Sequence, residues 1–512
     1  MDWIKQNKWR LGLLAGLVGI AYLGTLDNAF VSDDIYGIVN NPEIVKFDWV
    51  VKNPTIVLNR LIYFIIANGF GIVPWPFRLV NILVHLMTAV GVMILGGWLI
   101  NRTVGTVAAV LVAVHPIMIE SVTWISGGGY SWYTALLIWS LIFYIKAKDS
   151  WWKYGTSILL FLGALQYSEK AVILPGILLV YRLVIEKKRG RWGDLVPYIG
   201  LSGLWLAINL LKVGARLSYL EAEFTGGGGS KINPLIQIPV AIANYLSLIF
   251  WPDKLTLYHS ELNITQEIFW LMAGITIIYF LVSAGLLWLG FKGKAKFGIA
   301  GFFLAWLVIG LSPTLLPLGV AWIVAERYVY FGAIGVFVLT AWGLVSFSQR
   351  PKQTEAGWAV ITLLVCLLII RTLVRNSNWQ NQDVLWLSAE RTSPTSPQNH
   401  NNLGDLYGRR GDLKQAEWHF MQAISLNQNY ADAMHNLANT YFQEGKLDEA
   451  IEWYTKALKF KPSLWQSHQQ LGSIYYQKGD KQTALAEFKK ALGIVPEDQK
   501  LIEAVKRVEQ EL

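Results

Sequence analysis

The chain reads as an all-α protein in two parts: a polytopic bundle of about eleven membrane-crossing helices, then a solenoid of helix pairs. Three observations predict this. Of its 512 residues 54% are hydrophobic and only 15% charged, against roughly 25% charge in soluble domains. Up to Arg375, apolar runs alternate with short polar breaks; at about 16 to 24 residues each run can cross a hydrocarbon core of about 30 Å if its flanks snorkel. Beyond Arg375 no such run occurs, and the sequence repeats with a period of 34 residues.

The same composition excludes several function classes. The 24 tryptophans, 22 tyrosines and 22 phenylalanines suit a membrane–water boundary rather than base stacking. A net charge of +9 follows from Lys and Arg in short cytoplasmic loops, so no nucleic-acid partner is expected. The single cysteine, Cys366, lies within the apolar run "WAVITLLVCLLII", which leaves neither a disulfide framework nor a thiolate metal site.

In chain order, "MDWIKQNKWR" precedes an apolar run with no small-x-small cleavage site after Leu26, so the first span is expected to be retained. The expected spans are 10–27, 76–100, 103–119, 130–147, 152–168, 170–186, 194–212, 267–290, 297–313, 328–348 and 357–375. Two shorter stretches, 57–70 and 239–252, contain polar residues and are expected to lie along the interface. Charge decides the second. With eleven spans and a cytoplasmic N-terminus, Lys5, Lys8, Arg10, Arg102, Lys146, Lys148, "EKKRGR" (186–191), "KGKAK" (292–296) and "RPK" (350–352) all fall inside. A twelfth crossing at 239–252 would put the last two clusters outside. The eleven-span count places Asp33, Asp34 and the C-terminal part on the extracytoplasmic face.

Residues 1–375 form the bundle and 376–396 a connector. In the repeats at 397–430, 431–464 and 465–498, Leu403, Leu437 and Leu471 recur, as do Tyr407, Tyr441 and Tyr475. Gly411, Gly445 and Gly479 mark turns; Ala416, Ala450 and Ala484 are the small residues where two helices cross; Pro462 and Pro496 close two repeats. This is the tetratricopeptide-repeat pattern, and 499–512 reads as a capping helix. Asn402, Asn436 and Gln470 hold equivalent positions on the inner surface. They read either as solvated polar filler or as an amide ladder for a peptide backbone.

No Walker A loop, Rossmann fingerprint or metalloprotease His pair occurs in its required setting. No metal or cofactor is expected, and "GGGG" (226–229) reads as a flexible linker. What remains is a set of ionisable residues at the outer ends of spans: Asp33 and Asp34, His115 and Glu120, Glu169 and Lys170, Glu326 and Arg327. Each has a bland alternative as a helix cap, a helix end or an interfacial ion pair. Their shared side points to a water-filled site. It suits transfer from a lipid-linked phosphate, which needs a carboxylate to deprotonate a hydroxyl and cations to hold the departing phosphate. Lys170, Arg327 and Arg60 are cations on that side. Successive side chains diverge, so one member of the Asp pair should face the acceptor.

At "FVSDDIYGIVNNPEI", "PFRLVNILVHL", "HPIMIESVTWISG", "SEKAVILPGILL", "WPDKLTLYHSEL" and "AERYVYFGAIGVF", followed by "NWQNQDVLWLSAERTSP" and the repeats, the chain resembles the transmembrane and tetratricopeptide-repeat O-mannosyltransferases and their bacterial relatives. These belong to the GT-C class of polyprenyl-phosphate-dependent glycosyltransferases. The resemblance implies an eleven-span GT-C-type bundle with interfacial helices in its first outer loop and before its eighth span. It further implies inverting, metal-independent sugar transfer from a membrane lipid donor, a polyprenyl-phosphate hexose. By position Asp33 resembles the catalytic base, Asp34 its companion and Arg327 a donor-phosphate contact. The sequence departs from the family where relatives continue "WISG" with an Arg and an acidic residue: here stand Gly127, Gly128, Gly129 and Tyr130. It departs again where Glu169 precedes Lys170 instead of following it.

Three readings result. The first is transfer of a hexose, mannose among the candidates, to an extracytoplasmic hydroxyl such as a protein Ser or Thr, with the repeats holding acceptor or partner. The second is a non-catalytic membrane scaffold. The third is an oligosaccharide ligase or polymerase using a diphosphate-linked donor. The repeats also resemble those of the soluble O-GlcNAc transferase, whose nucleotide-sugar domain has no counterpart in this sequence.

Overall fold

A computed structural model describes residues 2–147, 150–186, 192–224, 233–259, 264–315, 323–350 and 353–512. Lys148, residues 187–191, the "GGGG" stretch and 351–352 lie outside the described residues.

Helices form at all eleven ranges expected to cross, and also at the two interfacial stretches. In order they are α1 (Asp2–Tyr22), α2 (Phe47–Val51), α3 (Val57–Phe70), α4 (Pro74–Leu99), α5 (Arg102–Val114), α6 (Gly129–Ile145), α7 (Trp151–Tyr167), α8 (Leu174–Val180, continued by a π-helical turn Tyr181–Glu186), α9 (Val196–Phe224), α10 (Pro234–Phe250), α11 (Gln266–Phe291), α12 (Ala295–Leu315), α13 (Tyr330–Ser348) and α14 (Thr354–Ser377). Among the described residues six stretches are long and apolar enough to cross a membrane: Pro74–Leu99, Gly193–Leu211, Gln266–Phe291, Ala295–Leu315, Glu326–Ser348 and Thr354–Ser377. Several boundaries differ from expectation. The helix expected over 103–119 ends at Val114, because Pro116 biases His115 to an extended backbone, φ −77° and ψ 128°. At the other extreme, α9 runs twelve residues past its expected end, to Phe224.

Both short amphipathic helices lie across one end of the bundle. In α10, Gln237 donates to Thr314 O near the end of α12, at 2.8 Å; Tyr245 bonds Ala325 just before α13; and Ile249 O accepts from His115 after α5, at 2.9 Å. All three partners are at the same ends of their helices, so α10 does not traverse the bundle. In α3, Val57 N bonds Gln166 near the end of α7 and Tyr63 bonds Ile125 O before α6. Both stretches expected to lie along the interface thus pack against one end of the bundle.

The bundle core is aromatic and closely packed. Trp306 of α12 stacks on Phe331 of α13 at 4.7 Å and its indole N–H donates to Phe331 O at 2.9 Å. Close approach requires glycine there: a Cβ on Gly335 would stand 2.3 Å from Phe303 O.

The connector holds α15 (Gln382–Thr392). The solenoid follows as the pairs α16 (Pro397–Arg409) and α17 (Leu413–Leu426), α18 (Ala431–Gln443) and α19 (Leu447–Phe460), α20 (Trp465–Gln477) and α21 (Lys481–Ile494), closed by α22 (Gln499–Gln510). Gly411, Gly445 and Gly479 turn each pair at φ near +80°, the left-handed conformation glycine adopts without strain. Leu501, Val505 and Val508 of α22 cover Ala484, Phe488 and Ala491, so the last repeat ends on a polar outer face.

Candidate active site

The loop after α1 is fixed before it can place anything. Arg78, fully buried in α4, donates to Asn28 O at 2.8 Å, Ala29 O at 3.1 Å and Leu26 O at 3.3 Å, and to Thr123 O at 2.9 Å. One guanidinium thus ties the segment leading to Asp33 to the segment leading to Ser126. Ser32 then takes a positive φ of 54°, uncommon for a residue with a side chain, and the chain re-enters a helical turn at Asp33.

The two acids diverge as their adjacency requires. Asp34 is fully buried; its carboxylate accepts from Ser126 N at 2.8 Å and Ser126 Oγ at 2.5 Å, and from Val31 N at 3.3 Å. Burial pushes its carboxyl up to about 6, against the hydrogen bonds from Ser126 and Val31 and the charge of Arg78. Asp33 instead faces a cavity of about 660 Å³. Burial raises its carboxyl above the ordinary range, and the charge of Arg327 opposes that rise.

This cavity lies between the two parts of the chain. Ser32, Asp33, Trp124 and Arg327 line it from the bundle, Tyr258 from the loop after α10, Trp386 from α15, and residues of the first repeats from the far side. Arg327 is held by Glu120: its guanidinium forms an ion pair with Oε1, and its backbone N–H donates to Oε2 at 2.8 Å. The guanidinium also lies over Trp124 at 5.4 Å and Tyr328 at 5.1 Å. Lys170 comes next in the same cluster. Its ammonium donates to Tyr130 Oη at 3.0 Å, sits 5.1 Å from the Tyr328 ring, and is 4.0 Å from Glu169. Glu326 turns the other way, to Arg375 at 3.2 Å and His259 at 3.8 Å.

Asp33 and Arg327 therefore share the cavity, with Glu120, Lys170 and Glu169 behind them and Glu326 on a neighbouring ion pair. Two expected residues are elsewhere. Arg60 donates to Trp49 O at 2.6 Å and lies over the Trp49 ring, outside the cavity lining. His115 is a buried fastener: Nδ1 accepts from Ile117 N and Nε2 bonds Ile249 O. In the solenoid, Asn402 and Asn436 line the cavity and Gln470 is not among its lining residues. Asn402 donates to Tyr258 Oη at 3.1 Å and Asn436 to Asn401 Oδ1 at 3.0 Å.

Sequence reading did not single out Tyr258, Trp124, Trp379 or Arg375. Trp124 stacks on Trp379 at 6.0 Å, and Arg375 lies over Trp379 at 5.8 Å. The available signal was charge placement. Arg375 closes the last expected span at the end counted as the outer one, where the positive-inside tendency disfavours a cation. Such a residue calls for a carboxylate, and Glu326 supplies it.

The architecture is that of a polytopic helical membrane protein carrying a tetratricopeptide-repeat domain. The family descriptions "Tetratricopeptide repeat" (397–430, 419–452 and 466–498) and "TPR repeat" (438–479) match the solenoid. Over most of the chain, similarity runs to "Protein O-mannosyl-transferase TMTC3" of Homo sapiens, 22% identical over 81% of this chain and 51% of that one. It extends to TMTC1 of Homo sapiens (24%; 83% and 56%) and TMTC4 of Mus musculus (25%; 79% and 65%). The resemblance carried by the motifs thus extends over about four fifths of the sequence. The chain spans about half the length of the curated relatives it matches. Among solved structures, the crystal structure of MamA is 25% identical and covers 32% of this chain and 91% of its own, at a TM-score of 0.21, too low to carry an argument.

Proposed function

We propose that this chain is an integral-membrane GT-C-type glycosyltransferase that moves a hexose, mannose among the candidates, from a polyprenyl phosphate to an extracytoplasmic hydroxyl such as a protein Ser or Thr. One observation carries the reading: Asp33 and Arg327 line a single cavity at the end of the bundle where the solenoid docks. The curated relatives, named protein O-mannosyl-transferases, support it.

In the proposed step the acceptor oxygen attacks the anomeric carbon while the bond from that carbon to the phosphate oxygen breaks. Its electron pair leaves with the phosphate, and the acceptor proton passes to Asp33. Attack opposite the leaving group inverts the configuration. Arg327, held in position by Glu120, would meet the charge developing on the phosphate, with Lys170 beside it. Lys170, whose ammonium bonds Tyr130 close to the "WISG" segment, would supply the second cation. Asp34 supports the loop instead of sharing the chemistry. The N-terminus is assigned to the cytoplasm, and the solenoid to the opposite face.

Incubating the purified chain with polyprenyl-phosphate sugars and a hydroxyl acceptor tests this. Turnover is expected, and Asp33→Asn should abolish it. Wild-type turnover in that variant would overturn the base assignment.

A further inference from the structure

The transfer reading uses only one wall of the cavity. We propose that the opposite wall, built by the repeats from Gln398 to Gln466, is an acceptor subsite for an extended polypeptide carrying a basic residue beside the hydroxyl residue that meets Asp33. This rests on the transfer reading.

Charge is the first argument. The ionisable residues lining the cavity include Asp33, Asp405, Asp432, Arg327 and His435. The positive charge of Arg327 is met by Glu120 behind it. Burial pulls His435 down to about 4, so it adds no charge near neutrality. The repeat wall presents two carboxylates. Asp432 pairs with Lys461 at 3.1 Å. Asp405 pairs with Arg409 at 3.0 Å, and Arg409 also reaches Asp383 at 3.3 Å. Asp405 and Arg409 are well exposed, so solvent screens their attraction. Arg410 pairs with Asp383 as well, so each of these carboxylates has a counter-charge. Lys461, Arg409 and Arg410 nevertheless stand outside the lining, where three carboxylates face one guanidinium. An incoming ammonium or guanidinium meets the carboxylate side of these pairs, which favours orientation of a basic ligand.

Hydrogen-bonding capacity is the second. Gln398, Asn401, Asn402, Asn436 and Gln466 line the same wall. Each primary amide can both donate and accept, as each peptide group of an extended chain can. A glycan acceptor would also suit amides, but a neutral glycan brings no positive charge to match Asp405 and Asp432. Tyr36, Tyr258, Tyr430 and Trp386 also line the cavity, aromatic surfaces over which a Lys or Arg stem can lie. The volume falls within the range of about 300–1,000 Å³ found for small-molecule pockets, room for a short stretch of peptide and no folded domain.

The test is direct binding by the full chain in detergent with no sugar donor present. Three short fluorescein-labelled peptides share a central Ser and differ in its neighbours, Lys, Gln or Glu; fluorescence anisotropy gives each Kd. The Lys peptide should bind about tenfold more tightly than the Glu peptide, a gap of about 1.4 kcal/mol. Asp405→Asn should narrow the gap, and Asp405→Lys should reverse it; unchanged thermal unfolding shows that neither variant acts through misfolding. Equal binding of the three peptides, no binding of any, or a preference unaltered by Asp405→Lys would overturn the subsite. Because donor is absent, a Lys preference without sugar turnover leaves the subsite intact and removes the transfer reading.

Discussion

Asp33 and Asp34 are neighbours in sequence with opposite surroundings, and sequence reasoning could see only that they must diverge. Which of them faces the cavity depends on Ser126, 92 positions away from Asp34, and no local pattern reports such a partner. Asp34 offers a pH test. Burial pushes its carboxyl from the ordinary 3.8 up to about 6 in the folded chain, so the folded state binds more protons across that window. Stability from this group is therefore full below the lower value and is lost as pH rises through the higher one. Asp34→Asn should flatten that part of a thermal-unfolding profile; an unaltered slope would mean that the folded chain ionises Asp34 normally. Asp33 carries the opposite consequence for activity. A base must be ionised, so turnover should rise with pH through its elevated pKa, read as the acid limb of kcat/KM. For Glu120, itself buried, removal takes from Arg327, whose side chain is 13% exposed, its paired counter-charge. Glu120→Ala should then cost about 3–5 kcal/mol, visible in denaturation with or without any assay of activity.

At the scale of elements, periodicity and charge did most of the sequence work. The 34-residue repeat placed every solenoid turn, because a glycine at positive φ must recur wherever the same turn recurs. Charge parity kept 239–252 from crossing, and α10 does lie across the bundle end. Helix ends were less legible. The stop after Val114 could be read from Pro116, whereas nothing in the pattern announced that α9 would continue to Phe224. The docking of the two parts was not legible at all, since it rests on contacts between residues far apart in sequence. Among them are Tyr258, which accepts from Asn402 and stacks on Trp386 at 6.3 Å, and Leu403, which packs into the bundle core. Tyr258→Phe keeps the stacking and removes the hydroxyl, so it should loosen the solenoid by about 0.5–1.5 kcal/mol. Faster proteolysis within 376–396 would register this; an unchanged cleavage rate would show that the hydroxyl contributes nothing to docking.

For the whole molecule, the testable statement is sidedness. His115, Glu120, Lys170, Arg327 and the solenoid gather at one end of the bundle, and Arg102, Lys146, Lys292 and Arg350 terminate helices at the other. In a background lacking Cys366, a cysteine at position 293 should react with a membrane-impermeant thiol reagent only from the cytoplasmic side. One at position 414, on the solenoid, should react only from the opposite side. Labelling of both from one side would break the eleven-span assignment.

The cavity between bundle and solenoid also orders events in time. Its floor contains Asp33 and its roof Asn436, some four hundred positions later in synthesis. Domains fold as they emerge, the N-terminal part first, so an inserted but unfinished chain has its carboxylate and guanidinium open to bulk water with no chamber around them. The enclosed cavity is complete only once Gln466, at the start of the third repeat, stands against the bundle. A chain interrupted before that point would be an inserted bundle without a chamber, and completion of the C-terminal repeats would be what switches the site on.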